Sequence, residues 1–276
     1  MRHTIVGGLG FICVASSAHA GSLSGLPDLA QDRFSWTNYC APTTGADLAY
    51  YYSQVYSSLV PGNTASDADT VIGDMATRMG TTFSGGTTVN GLVGGLDSYL
   101  EDNWDSITGG THWNTQYLDG STLGGAGLFN AVDNAINAGD GVILLIAWNS
   151  GLPTDPVYHT PDGYDGSTGV TDPIGHALAL NSTTPGPTNF IGVNDPANNA
   201  GTHSFTAENA PYGLTINAFD WTLNTPMGGA TATVYGAVTT SIPTPGAVVL
   251  LGCAGLVCGA RRRARTACEH PQGTRP

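Results

Sequence analysis

The 276-residue chain contains no lysine, and its eight basic residues are all arginine, set against 21 Asp and Glu. Four of those arginines crowd into Arg261, Arg262, Arg263 and Arg265. Between Gly21 and Ser241 only Arg33 and Arg78 face twenty acids, a charge of about −18. Nucleic-acid binding depends on Lys and Arg neutralising phosphates, so this composition argues against a nucleic-acid partner and against any strongly negative surface. So acidic an exterior stays soluble by self-repulsion and suits a saline medium that screens it. Apolar runs of spanning length are also missing. The two longest apolar stretches lie at the ends, and the first is far shorter than the ~20 residues a membrane-spanning helix needs.

Both ends read as addresses. Met1–Ala20 opens with Arg2 and His3, continues through the apolar stretch Thr4 to Ala15 and closes on Ala18-His19-Ala20, the small-x-small form of a signal-peptidase site. The reading is an export signal cut before Gly21. At the other end Ile242-Pro243-Thr244-Pro245-Gly246 precedes an apolar segment, Ala247 to Ala260, and the arginine cluster follows at once. A proline-rich breaker, a short apolar helix and a basic stop make a membrane anchor with its arginines on the cytoplasmic side. This arrangement resembles the PEP-CTERM sorting signal of exported bacterial proteins, which an exosortase is thought to cut near the proline motif. Pro243-Thr244-Pro245 stands where that family usually has Pro-Glu-Pro, and the tail Thr266 to Pro276 is longer than usual. The expected organisation is a signal peptide (1–20), one domain (21–241), an anchor or sorting signal (242–265) and a tail (266–276). Signal peptidase, exosortase and the membrane are the expected processing partners, and the cell surface or extracellular matrix is the expected location.

The exported portion is poor in cysteine. Cys13 lies in the leader, Cys253 and Cys258 in the anchor and Cys268 behind it, which leaves Cys40 alone. Exported domains usually pair their thiols because the compartment is oxidising. A solitary one is either buried and inert or kept for its reactivity.

Apolar periodicity predicts an α+β domain with helices first and a sheet behind. Leu48, Tyr52, Val55 and Leu59 fall on one helical stripe after Pro42, which suits a first turn. Ile72, Met75 and Met79 predict a second helix after Ser66 and Asp67. Leu92, Leu96 and Leu100 predict a third, and Leu128, Val132 and Ile136 a fourth. Gly141 to Trp148 is a continuous apolar run of strand length, buried on both faces. His176 to Leu180, Phe190 to Val193 and Ala230 to Val238 are further predicted strands.

Three residues carry candidate chemistry. Cys40, in Asn38-Tyr39-Cys40-Ala41-Pro42, stands immediately ahead of the first predicted helix; the positive end of the helix dipole and its unpaired N–H groups favour a thiolate there. Position alone equally allows a small buried residue at a helix start. His176, in Gly175-His176-Ala177-Leu178-Ala179-Leu180, heads an apolar strand, so a rigid element aims it as a general base must be aimed. Asp195, in Val193-Asn194-Asp195-Pro196, closes the next strand, where a carboxylate could orient the imidazole. Asn-Asp-Pro is also simply a good turn. His112, His159 and His203 show no metal-ligand spacing, Asp162-Gly163-Tyr164-Asp165-Gly166 lacks the acid pattern of a helix-loop-helix calcium site, and no cofactor is expected.

Asn38-Tyr39-Cys40-Ala41-Pro42, Gly175 to Leu180 and Val193 to Pro196 together resemble the papain-like fold in its bacteriocin-processing form, family thirty-nine of the cysteine peptidases. The resemblance covers Trp36 to Pro196 and implies an α+β fold with N-terminal helices followed by an antiparallel sheet. It implies a peptidase or amidase with Cys40 as nucleophile, His176 as base and Asp195 as the orienting group. Papain-like enzymes generally place an oxyanion-hole Gln six residues before the Cys, and here that position is Phe34. Gln31, nine before, and Asn38, two before, are the candidate donors. Ala41 also replaces the Gly commonly found after the nucleophile. Loss of one oxyanion donor costs about 10² to 10³ in rate, so the alternative is a catalytically inactive papain-like binding or matrix protein.

Overall fold

The computed structural model describes residues 21–31, 38–82, 86–104, 113–150, 176–196, 198–210, 213–217, 222–223, 225–226 and 231–241. The expected signal peptide and anchor, together with Phe34, His112, His159 and the Asp162–Gly166 turn, lie outside them. The described chain mixes helix and sheet.

Helix α1 runs Cys40–Ser53, so Cys40 is its first residue. Its N-cap, Tyr39, has φ −100° and ψ 17° and supplies no side-chain cap. Leu48 and Tyr52 are buried as the stripe requires, but Val55 is 69 % exposed. The expected stripe fails there because the helix ends before it. Leu59 reaches the core from a separate 3-10 turn, Ser57–Leu59, so the helical rotation no longer relates it to Leu48.

Helix α2, Ala65–Arg78, opens on a capping box in which Asp67 N–H donates to Thr64 Oγ1 and Thr64 N–H donates to the Asp67 carboxylate. Two otherwise orphaned donors are thereby satisfied. Helix α3, Val89–Asn103, is capped by Thr88 and buries Leu92, Leu96 and Leu100. Arg78 joins the two helices: its guanidinium reaches Asp74 at 3.0 Å and Asp102 at 2.5 Å, donates to Ser98, and sits 5.7 Å from the centroid of the Tyr99 ring. Strand β2, Asn114–Asp119, leads into helix α4, Gly120–Ala138. α4 is kinked at Gly124, whose φ of 65° lies in the left-handed region where a Cβ is costly. Its next residue, Gly125, lets the helix touch backbone: a Cβ there would lie 2.2 Å from Gly213 O.

The remaining strands are β1 (Gly21–Ser22), β3 (Gly141–Ser150), β4 (His176–Thr184), β5 (Asn189–Asp195), β6 (Asn198–Ala210), β7 (Gly213–Asn217), the small β8 (Thr222–Leu223) and β9 (Thr225–Pro226) pair, and β10 (Thr231–Ser241). Every pairing is antiparallel. The sheet runs β4-β3-β10-β7-β6-β5, and β5 returns to pair with β4, so it closes into a six-stranded ring. Closure removes the exposed edges that invite association. β1 adds to β4 and β2 to β10.

The strand heads at Gly141, His176, Asn189 and Thr231 match the expected strands closely. β1, β2, β6, β7 and the β8–β9 pair were not anticipated, and β2 interrupts the expected order of helices before strands. Helix α1 packs against β4, and α4 packs on β7 and β10. From Val142 to Ile146 every side chain of β3 is fully buried, because α-helical and ring interiors cover its two faces. Tyr52 ties α1 to this core: its hydroxyl donates to Thr240 O at 2.6 Å and accepts from Gly141 N–H at 2.5 Å.

Candidate active site

Strand register decides which side chains can meet at the end of the ring. Val193 pairs with Leu180 and Asn194 with Ala179. Facing residues of an antiparallel pair project on the same side, and successive residues alternate. Asp195 therefore shares a face with Leu178, and hence with His176. The side chains meet diagonally: His176 Nε2 lies 2.8 Å from Asp195 Oδ1. Both groups are buried, His176 4 % exposed and Asp195 fully enclosed.

The sulfur arrives from the other layer. α1 lies on β4, which sets the Cys40 side chain beside the His176 ring, close enough to interact with it. Cys40 is a free cysteine, 8 % exposed. Its helical turn is tightened by Thr44 Oγ1, which donates to the carbonyls of Cys40 and Ala41 at 3.0 and 2.9 Å. Thus the structure brings together the three residues singled out from the sequence, although 136 and 19 positions separate them along the chain.

Electrostatics set the ring's charge. Burial pushes the His176 pKa down, because a charged imidazolium loses its hydration. The Asp195 charge and hydrogen bond oppose this, followed by the hydrogen bond and charge of Cys40, and the net result raises it to about 10. At neutral pH the ring is a cation held between a carboxylate and a sulfur. A cationic neighbour is the usual electrostatic partner of a nucleophilic thiolate.

The two candidate oxyanion donors have different surroundings. Gln31 is buried, and its backbone N–H donates to Pro196 O at 2.7 Å, directly beside Asp195. Its side-chain Oε1 carries no hydrogen bond. Asn38 is half-buried, with its Cβ near Gly86. A third donor was not considered from the sequence: the Cys40 backbone N–H lies in a first helical turn, where N–H groups have no intrahelical acceptor. Two further residues were also missed. Asp47, two turns along α1 from Cys40, is fully buried and accepts from Leu29 N–H at 3.0 Å. Asn194 donates to the carbonyls of Leu26 and Pro27 at 3.3 and 2.8 Å. An acid seven residues from Cys40 on the apolar face of its helix was the available signal for the first; the second had none.

Among the described residues no three His, Cys, Asp or Glu gather as a metal site, and no helix is long and apolar enough to cross a membrane. No family model matches the chain, and no curated protein matches it in sequence. Among solved structures the chain is similar to one from Bacillus anthracis described as a C39-like peptidase. The two share 14 % identity at a TM-score of 0.43, over 81 % of this chain and 98 % of that one.

Proposed function

We propose that residues 21–241 form a papain-like cysteine hydrolase domain, a peptidase or amidase acting outside the cell. The observation that carries this reading is one imidazole placed between a buried carboxylate at 2.8 Å and the free thiol at the head of α1. Neither a structural histidine nor a buried inert cysteine needs the other two partners.

In the reaction we infer, the Cys40 sulfur attacks the carbonyl carbon of an amide and the imidazolium of His176 gives its proton to the departing nitrogen. The C–N bond breaks, the amine leaves, and the acyl group remains on sulfur as a thioester. Water then attacks the thioester while the now neutral imidazole takes up its proton. The carboxylic acid departs, and the sulfur–imidazole pair is restored. Asp195 keeps the ring oriented and supports its positive charge in both steps. The Cys40 N–H and the Gln31 side chain are the donors proposed for the developing oxyanion.

Export by the leader, and retention at the cell surface by the C-terminal segment with exosortase processing, complete the reading. N-terminal sequencing of the secreted protein tests the first part, with Gly21 as the expected first residue. The hydrolase itself is tested by incubating the protein with a mixed peptide library and identifying new termini by mass spectrometry. Cleavage that disappears in Cys40→Ala and His176→Ala supports it. Cleavage that persists in both refutes it. The second reading, a binding protein that kept this fold without activity, draws on Phe34 in the usual Gln position, and it stands if no amide is cleaved although the thiol alkylates rapidly.

A further inference from the structure

The chain preceding α1 is gripped from two sides. On the sheet side Gly21 and Ser22 pair with Thr183 and Ser182 of β4, and Leu23 N–H donates to Asn181 O at 2.8 Å. Asn194 Nδ2 then holds the carbonyls of Leu26 and Pro27, and Gln31 N–H is fastened to Pro196 O. On the helix side Gln54 Nε2 donates to Gly25 O at 2.9 Å, and Asp47 Oδ1 accepts from Leu29 N–H. Residues 23–31 therefore bridge the helix that carries Cys40 and the strand end that carries Asp195.

The two buried grips are next to the proposed chemistry in covalent terms. Asn194 precedes Asp195, and Asp47 follows Cys40 by about 10 Å along the helix axis. Asp47 is also an unusual residue for its place. It is fully enclosed, and its Oδ2 has no hydrogen-bond partner. Burial, offset in part by the Leu29 bond and reinforced by nearby Asp28, holds its carboxyl well above the usual carboxylate range. A carboxyl at a site where leucine would pack is costly unless its oxygen is required. The acceptor for Leu29 is that requirement.

We propose that residues 23–31 act as a strap that fixes α1 against the β4–β5 end, with Asp47 and Asn194 as positioning residues for the contact between Cys40 and His176. This rests on the reading of that pair as reactive. Each acts through the strap, and loosening it lets the helix head drift from the strand. A displacement of about 1 Å is enough to lower reactivity roughly 10²-fold.

The experiment is alkylation of the full-length protein by iodoacetamide, with the Cys40 peptide quantified by mass spectrometry over a range of pH. Wild-type Cys40 should react much faster when folded than in denaturant. Asp47→Leu and Asn194→Ser should each slow Cys40 by about ten- to a hundredfold at neutral pH and move its pH profile towards that of the denatured thiol. Asp47→Asn, which keeps a side-chain oxygen to accept from Leu29, should restore the wild-type rate and profile. Circular dichroism verifies folding, and Asn194→Ser, the milder truncation, decides the matter if Asp47→Leu does not fold. Folded variants with wild-type rate and profile overturn the strap, as does an Asp47→Asn protein as slow as Asp47→Leu. A wild-type thiol no faster folded than denatured instead refutes the reactive pair, and the strap's role falls with it.

Discussion

Replacing Asp195 by alanine isolates the interaction that keeps His176 charged. Both partners are buried, at a separation of 2.8 Å. Removing one member of a buried pair costs about 3–5 kcal/mol, because the surviving charge keeps its desolvation penalty without its partner. For a domain of this size each 1 kcal/mol lowers Tm by roughly 2–4 °C, so a fall of about 10 °C is expected at neutral pH. The pH dependence has a definite sign. The folded pKa of His176 lies near 10, above its ordinary value of 6.5, so the stabilisation is complete below 6.5 and disappears as pH rises through about 10. The difference between wild type and Asp195→Ala should therefore be widest in mild acid and close in alkali. Urea unfolding at a series of pH values measures this difference, and NMR titration of the His176 ring gives the pKa directly. In the variant burial is no longer opposed by Asp195, and the ring should lose its proton at lower pH than in wild type. A wild-type ring that titrates near 6.5, or a stability difference independent of pH, would refute the assignment of Asp195 as its charge partner.

Three other perturbations test the scaffold around the site. Tyr52→Phe removes a hydroxyl bonded to both Thr240 O and Gly141 N–H; leaving buried groups unsatisfied should cost about 1–3 kcal/mol in urea unfolding. Gly125→Ala would put a methyl 2.2 Å from Gly213 O and 2.6 Å from Ala210 N. Backbone cannot step aside as a side chain can, so a loss of about 3 kcal/mol is expected in thermal unfolding. Arg78→Ala should cost about 1–2 kcal/mol, the sum of partly exposed pairs to Asp74 and Asp102. That loss should shrink in high salt, because exposed pairs are screened; a loss unchanged by salt would mean packing on Tyr99 dominates.

Much of the helical layer was legible because its apolar residues repeat at helical spacing. Leu92, Leu96 and Leu100 identify α3 without help from any other segment, and Leu128, Val132 and Ile136 do the same for α4. The stripe through Leu48 and Tyr52 misled at Val55, since periodicity reports where residues would lie if the helix continued and cannot show that it stops at Ser53. Strands β3, β4, β5 and β10 announced themselves by apolar runs. β2 and β6 did not. Asn114–Asp119 and Asn198–Ala210 are rich in Asn, Thr, Gly and other polar residues, and their strand state is held by hydrogen bonds to neighbouring strands that local composition does not record.

The order of Cys40, His176 and Asp195, the helix start beneath the first and the strand ends beneath the others were all written in the linear chain. So was the acidity that argues against a polyanionic partner. These are local or additive properties, which need no knowledge of what touches what. Whether the sulfur meets the ring depends on α1 lying on β4, and whether the ring meets the carboxylate depends on the pairing of Asn194 with Ala179. A shift of one residue in that register would have turned Asp195 to the opposite face. The bridge from Asp47 through Leu29 to Asn194 likewise exists only once the layers are packed, because each hydrogen bond joins residues whose proximity is a product of the whole fold.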